Sequence, residues 1–174
     1  MKKALLVIGF GMFLVSPVAF ATENTTTSSE LIVEDPGILP DSPFYFFKTT
    51  FESVQLFFTF GKDKKALLET KLANKRLKEA EKLAEKGKTD LAVKHLENWQ
   101  RRMNKVISKL EERKDKGENV TNVVEKLESN QTRQQEVLQT VYEKVPESAK
   151  EAVLKAQENS RKGLDKAVEK LQNK

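Results

Sequence analysis

His95 is the only histidine in this 174-residue chain, and there is no cysteine. Without thiols there is no thiolate nucleophile, no iron–sulfur ligation and no ordinary Cys/His zinc site. His95 has Ala92 three residues before it and Asn98 three after, so it lacks the Glu-x-x-His spacing of di-metal helical bundles. It borders Leu96 and Trp99, which places it at the edge of an apolar stripe. The hydroxyls Ser53, Ser108, Ser129, Ser148 and Ser160 find no second histidine to act as a base, and no Gly-rich phosphate loop precedes a helix. Carboxylate pairs such as Glu111-Glu112 occur on every polar face, and acid/base work would require burial to separate their pKa values. The sequence therefore offers no catalytic residue, metal ligand or cofactor site.

The elements that carry these residues are helical. Gly61, Gly87 and Gly117 fall between runs of helical periodicity, where a left-handed C-cap residue is wanted. Five segments result, roughly 43–60, 63–86, 90–116, 119–145 and 146–172, and none alternates with strand period. Ala92, Leu96, Trp99, Met103, Val106 and Leu110 form one stripe of the third segment. The second offers Leu68, Leu72, Ala73, Leu77, Ala80, Leu83 and Ala84 as its partner across a short turn. The fourth continues with Val120, Val124, Leu127, Gln131, Gln134, Leu138, Val141 and Val145, so two seam positions are glutamines, expected to fix register or face water, with a binding groove as the alternative. The fifth carries a small-residue stripe, Ala149, Ala152, Ala156, Ser160, Gly163 and Ala167, expected to lie tightly against a neighbour. Val145-Pro146 should be a sharp bend or a kinked continuation, because the residue before a proline resists the helical region. The fold class is all-α, an elongated bundle of about five helices.

Upstream of the bundle, Lys2 and Lys3, the apolar run Ala4 to Phe20 and the small-x-small sequence Ala19-Phe20-Ala21 read as a signal peptide over 1–21. The alternative is an uncleaved anchor, since about 17 apolar residues is near the lower limit for a span. Residues 22–35 read as a Thr/Ser-rich disordered tether, and 36–174 as the helical domain, with Asp41 or Ser42 as the cap of its first helix. These features place the chain outside the cytoplasm, secreted or in the cell envelope. Asn24, Asn119 and Asn130 open glycosylation acceptor triplets. The full chain carries +5; residues 1–21 hold two lysines and no acid, leaving +3. Both signs alternate along helical faces, which excludes the one-signed field of a nucleic-acid binder.

The first helix holds seven of the ten phenylalanines: Phe44, Phe46, Phe47, Phe51, Phe57, Phe58 and Phe60. Phe44, Phe47, Phe51, Val54 and Phe58 form a stripe, and Phe47, Phe51 and Phe58 are expected in the core. Phe46, Phe57 and Phe60 lie on other faces and are the candidate partner-binding residues, for a protein, a cell-surface partner or peripheral contact with a membrane.

Pro36-Gly37-Ile38-Leu39-Pro40-Asp41-Ser42-Pro43-Phe44-Tyr45 with Lys48, then Leu56-Phe57-Phe58-Thr59-Phe60, resembles the opening of an uncharacterised domain family of exported bacterial and archaeal all-helical proteins. Val141, Lys144-Val145-Pro146-Glu147 and Ala149-Lys150 are similar to its later part, and the resemblance runs over about residues 36–171. It implies a secreted helical domain of unknown function with no catalytic residues to carry over. Two function classes follow: a non-enzymatic extracytoplasmic interaction or scaffold domain, or an exported helical sensor of a small ligand or cation. Mass spectrometry of native material should find an N-terminus at Thr22; intact Met1 in a membrane pellet would show a retained anchor instead.

Overall fold

The computed structural model describes residue 31 and residues 35–172. Among them are five helices, α1 (Tyr45–Phe57), α2 (Lys62–Glu85), α3 (Thr89–Asp115), α4 (Thr121–Lys144) and α5 (Glu147–Gln172), and no strand. The turn glycines behave as their positions require. Gly87 and Gly117 sit at φ 69° and 76°. Gly87 N bonds Ala84 O while Lys88 N reaches back to Leu83 O, and Gly117 and Glu118 repeat the pattern on Lys114 and Arg113. A side chain at either glycine would strain the backbone. Val145 is extended, at φ −84° and ψ 151°, and α5 folds back along α4 after Pro146.

Helices α2–α5 close into a four-helix bundle in which α2 meets α3 and α4, and α5 meets the same two. Arg113 near the end of α3 bonds Asp63 near the start of α2, at 2.6 Å. Lys114 donates to Leu171 O at 2.6 Å, so α3 and α5 finish at the same end of the bundle. The core is made of the expected stripes: Leu77, Ala80 and Leu83 of α2, Leu96, Trp99, Val106 and Leu110 of α3, Leu127, Leu138 and Val141 of α4, and Val153 and Leu164 of α5. At its centre Asn74 Oδ1 accepts from Trp99 Nε1 (3.2 Å) and from Gln134 Nε2 (3.0 Å), while its Nδ2 donates to Leu31 O at 3.0 Å. One amide thus ties α2, α3, α4 and the lead-in together, and the lead-in is engaged earlier than residue 36. Gln134 is the buried register residue, whereas Gln131 bonds Asp165 at the surface.

Three expectations are corrected. The first helix begins at Tyr45, and Asp41 does not cap it; its carboxylate bonds Lys88 at 2.8 Å across the α2–α3 turn. The small stripe of α5 packs at Ala149, Ala156 and Ala167 but not throughout. A methyl group added at Gly163 would meet nothing within 4 Å, because that stretch borders a cavity. The largest correction is α1: Phe47, Phe51 and Phe58 are not core. The four phenylalanines of α1 and the flanking Phe44, Phe58 and Phe60 are all between 62% and 81% exposed. Among the helices α1 packs chiefly on α2, with the Tyr45 ring also edge-on to His95 of α3, and the apolar stripe of α2 is already covered by α3 and α4.

Trp99→Ala should therefore cost about 3–5 kcal/mol in denaturant unfolding. Phe47→Ala should change stability by less than about 0.5 kcal/mol, as for a surface position.

Candidate functional site

What α2 leaves for α1 is a charged face. Arg76 and Glu79 stand one turn apart on α2, and both are buried, Glu79 with 0% of its surface accessible. Ions removed from water require partners, at several kcal/mol each when unpaired. Helix α1 supplies them from its polar strip, where Tyr45, Lys48 and Glu52 recur at three and four residues and so share one side.

Glu79 Oε1 accepts from Lys48 Nζ and Arg76 Nη1. Its Oε2 accepts from the Tyr45 hydroxyl at 2.8 Å, and His95 Nδ1 of α3 stands 3.0 Å away without hydrogen-bond alignment. The guanidinium of Arg76 also donates to Glu52 Oε2 and, at 2.7 Å, to the Tyr45 oxygen. Lys75 lies 3.4 Å from Glu52 Oε1. Lys48 further donates to Pro36 O at 2.6 Å and Ile38 O at 3.0 Å, which fastens the lead-in to the helix. Burial pushes the Glu79 carboxyl up, but His95, Arg76 and Lys48 together outweigh it and hold it below its usual value. Burial, reinforced by Glu79, keeps the Tyr45 phenol well above its ordinary range, so the hydroxyl remains a donor. With every oxygen of Glu52 and Glu79 engaged, the cluster pins α1.

The outer side of α1 is the opposite of this. Lys48 and Glu52 are its only charged residues, and both face α2. From Phe44 to Phe60 the outward surface is phenylalanine with Val54 and Gln55 and a few hydroxyls. Phe46 and Phe47, and Phe57 and Phe58, form edge-to-face pairs with centroids 5.9 and 5.2 Å apart. The candidate residues Phe46, Phe57 and Phe60 all lie on this exposed surface, together with the four phenylalanines assigned by periodicity to a core stripe.

The remaining sequence candidates are scattered. Asn119 is exposed, its Oδ1 accepting from Thr121 N. Asn130 is buried, its Nδ2 donating to Lys126 O at 2.8 Å. Asn24 lies outside the described residues. Among the described residues no group of three His, Cys, Asp or Glu side chains is placed to hold a metal ion, and no helix is long and apolar enough to cross a membrane. A cavity of about 420 Å³, lined by Trp99, Met103, Ile107, Gln134, Gly163 and Leu164 among others, opens between α3, α4 and α5. The Nε2 of Gln100 at its wall is buried without a partner.

A family model described as a domain of unknown function (DUF5667) matches residues 37–148, well over half of the chain. The chain belongs to that family. No curated protein and no solved structure matches it. The DUF5667 region contains the lead-in from Gly37 onward, all of α1 to α4 and every side chain of the Glu79 cluster, and it stops at the second residue of α5. The resemblance read over residues 36–171 is thus matched over the shorter span, and Ser160, Gly163 and the α5 side of the cavity fall beyond it.

Because the folded Glu79 carboxyl is depressed below its ordinary 4.5, its stabilisation is complete above that value and is lost as pH falls through the folded one. Glu79→Gln leaves Arg76 buried with less charge against it and should cost about 3 kcal/mol. It should also flatten the acid limb of stability measured by denaturant titration against pH. An acid limb identical in the variant would place the pH dependence elsewhere.

Proposed function

We propose that the chain is a non-enzymatic extracytoplasmic interaction domain, in which the α2–α5 bundle holds α1 as a recognition element. The observation that carries this reading is the inverted packing of α1, charged side in and phenylalanine side out. A fully buried phenylalanine is worth about 1.5–3 kcal/mol relative to an exposed one, so seven left in water hold back a large favourable term that a partner would release. The Glu79 cluster supplies the reason they stay out: turning α1 over would abandon Arg76 and Glu79. The N-terminal sequence, with its basic residues, apolar run and small-x-small site, supports a place outside the cytoplasm.

A second reading, the sensor of a small ligand, has the cavity beside Trp99 and Gln134 in its favour, since it combines apolar walls with amides. It engages only one face of the bundle and leaves the exposed side of α1 without a purpose.

A photo-crosslinking residue placed at Phe57 in cells that make the protein should give adducts, while the same residue at exposed Lys155 on α5 should give few. Equal yields at the two positions would contradict the interaction reading.

A further inference from the structure

We propose that the occupant of the α1 face is the surface of a phospholipid bilayer, with α1 lying in the plane of the headgroups and its phenylalanines in the acyl boundary. This rests on the interaction reading and names its partner. Three observations separate a bilayer from a protein groove or a second copy of the chain.

The first is shape. At 100° per residue, Phe46, Phe57, Val54, Phe47, Phe58, Phe51 and Phe44 spread over roughly half of the helix circumference. A helix that docks on another helix uses a narrower stripe. A convex arc this wide, on a helix attached to its own protein along one side only, is matched by a medium that wraps around it.

The second is the fate of the polar groups on α1. Thr49 and Thr50 both donate to Phe46 O at 2.9 Å, Ser53 donates to Thr49 O at 2.8 Å, and Thr59 donates to Gln55 O at 2.7 Å. Each serine and threonine hydroxyl of α1 and its C-terminal turn is therefore satisfied by the helix's own backbone and needs no water. That is the device by which hydroxyls are tolerated against hydrocarbon. Both charges are likewise turned away and bonded. In a chain that is 33% charged, the outward arc carries none.

The third is the charge at its end. Beyond Phe60, the most exposed phenylalanine among the described residues, come Lys62, Lys64 and Lys65. Lys62 pairs with Glu118, while Lys64 and Lys65 are exposed and make no ion pair among the described residues. Two exposed ammonium groups following an aromatic face suit anionic headgroups.

The test uses the full chain carrying Phe57→Trp, with vesicles of phosphatidylcholine and phosphatidylglycerol in which one lipid is brominated on its acyl chain. Trp99 is buried in the bundle, so its emission in the unsubstituted chain serves as the internal reference and as the check of folding. The introduced indole should shift to shorter wavelength and be quenched by the brominated lipid, more with phosphatidylglycerol present than with phosphatidylcholine alone. Adding Phe47→Ser, Phe51→Ser and Phe58→Ser should abolish that quenching while the Trp99 signal stays native. An N-terminal apolar run left in place would bring the chain to the vesicle but would not bury the indole. An indole that remains open to aqueous acrylamide with vesicles present would overturn the proposal. If it is instead shielded without vesicles as protein concentration rises, and the chain sediments as a dimer, the occupant is a second copy; the bilayer is then excluded while the interaction reading stands. If the indole is shielded under neither condition and the crosslinker at Phe57 yields no adducts, both fall.

Discussion

A carboxylate removed entirely from water cannot remain ionised alone, and Glu79 is such a carboxylate. Its ionised form needs donors on both oxygens, and they come from Lys48, Arg76 and Tyr45. Arg76 in turn is buried and requires Glu52. Two of these partners and the phenol sit on one strip of α1, so satisfying α2 fixes which side of α1 faces inward. The position of the lead-in follows as well, because Lys48 also holds the carbonyls of Pro36 and Ile38. A buried ion pair of this kind adds little net stability over an apolar contact, yet removing one partner is costly. Its consequence here is orientation, and the orientation puts the phenylalanines outside.

The division of labour along α2 shows how one helix serves two environments. Ala73, Leu77, Ala80 and Leu83 face α3 and α4 and are sealed in the core. Arg76 and Glu79 lie on the remaining face and address α1 and His95 of α3. Asn74 joins the core side to the lead-in through Leu31. The bundle is thus complete without any apolar contribution from α1, which leaves its aromatic surface available.

Most of the fold was legible because helix boundaries and core stripes depend on local signals. The glycines at 61, 87 and 117 mark the joints, and the four-three spacing through Trp99 to Leu110 names the seam. The side on which α1 docks was not legible, since periodicity reports that a helix has an apolar face without reporting whether that face has a partner. The clue was present but nonlocal: Arg76 and Glu79 occupy positions on α2 adjacent to its apolar stripe, and their burial depends on charges 24 and 31 residues earlier, at Glu52 and Lys48. Gln134 was recognisable as an internal polar residue, but its partner Asn74, sixty residues away, was not. The cavity at Gly163 escaped for a related reason, because a stripe of small residues permits close packing without enforcing it.

The central claim is that α1 is held by its charged side with its phenylalanines in water. Fluorine NMR of the chain labelled with fluorophenylalanine, recorded without lipid and compared between H2O and D2O, addresses it directly. The account predicts that the resonances of Phe44, Phe46, Phe47, Phe51, Phe57, Phe58 and Phe60, assigned by single substitution, all show the solvent isotope shift of exposed rings. Absence of that shift at Phe47, Phe51 and Phe58 in the monomer would show α1 docked by its aromatic face and would contradict it.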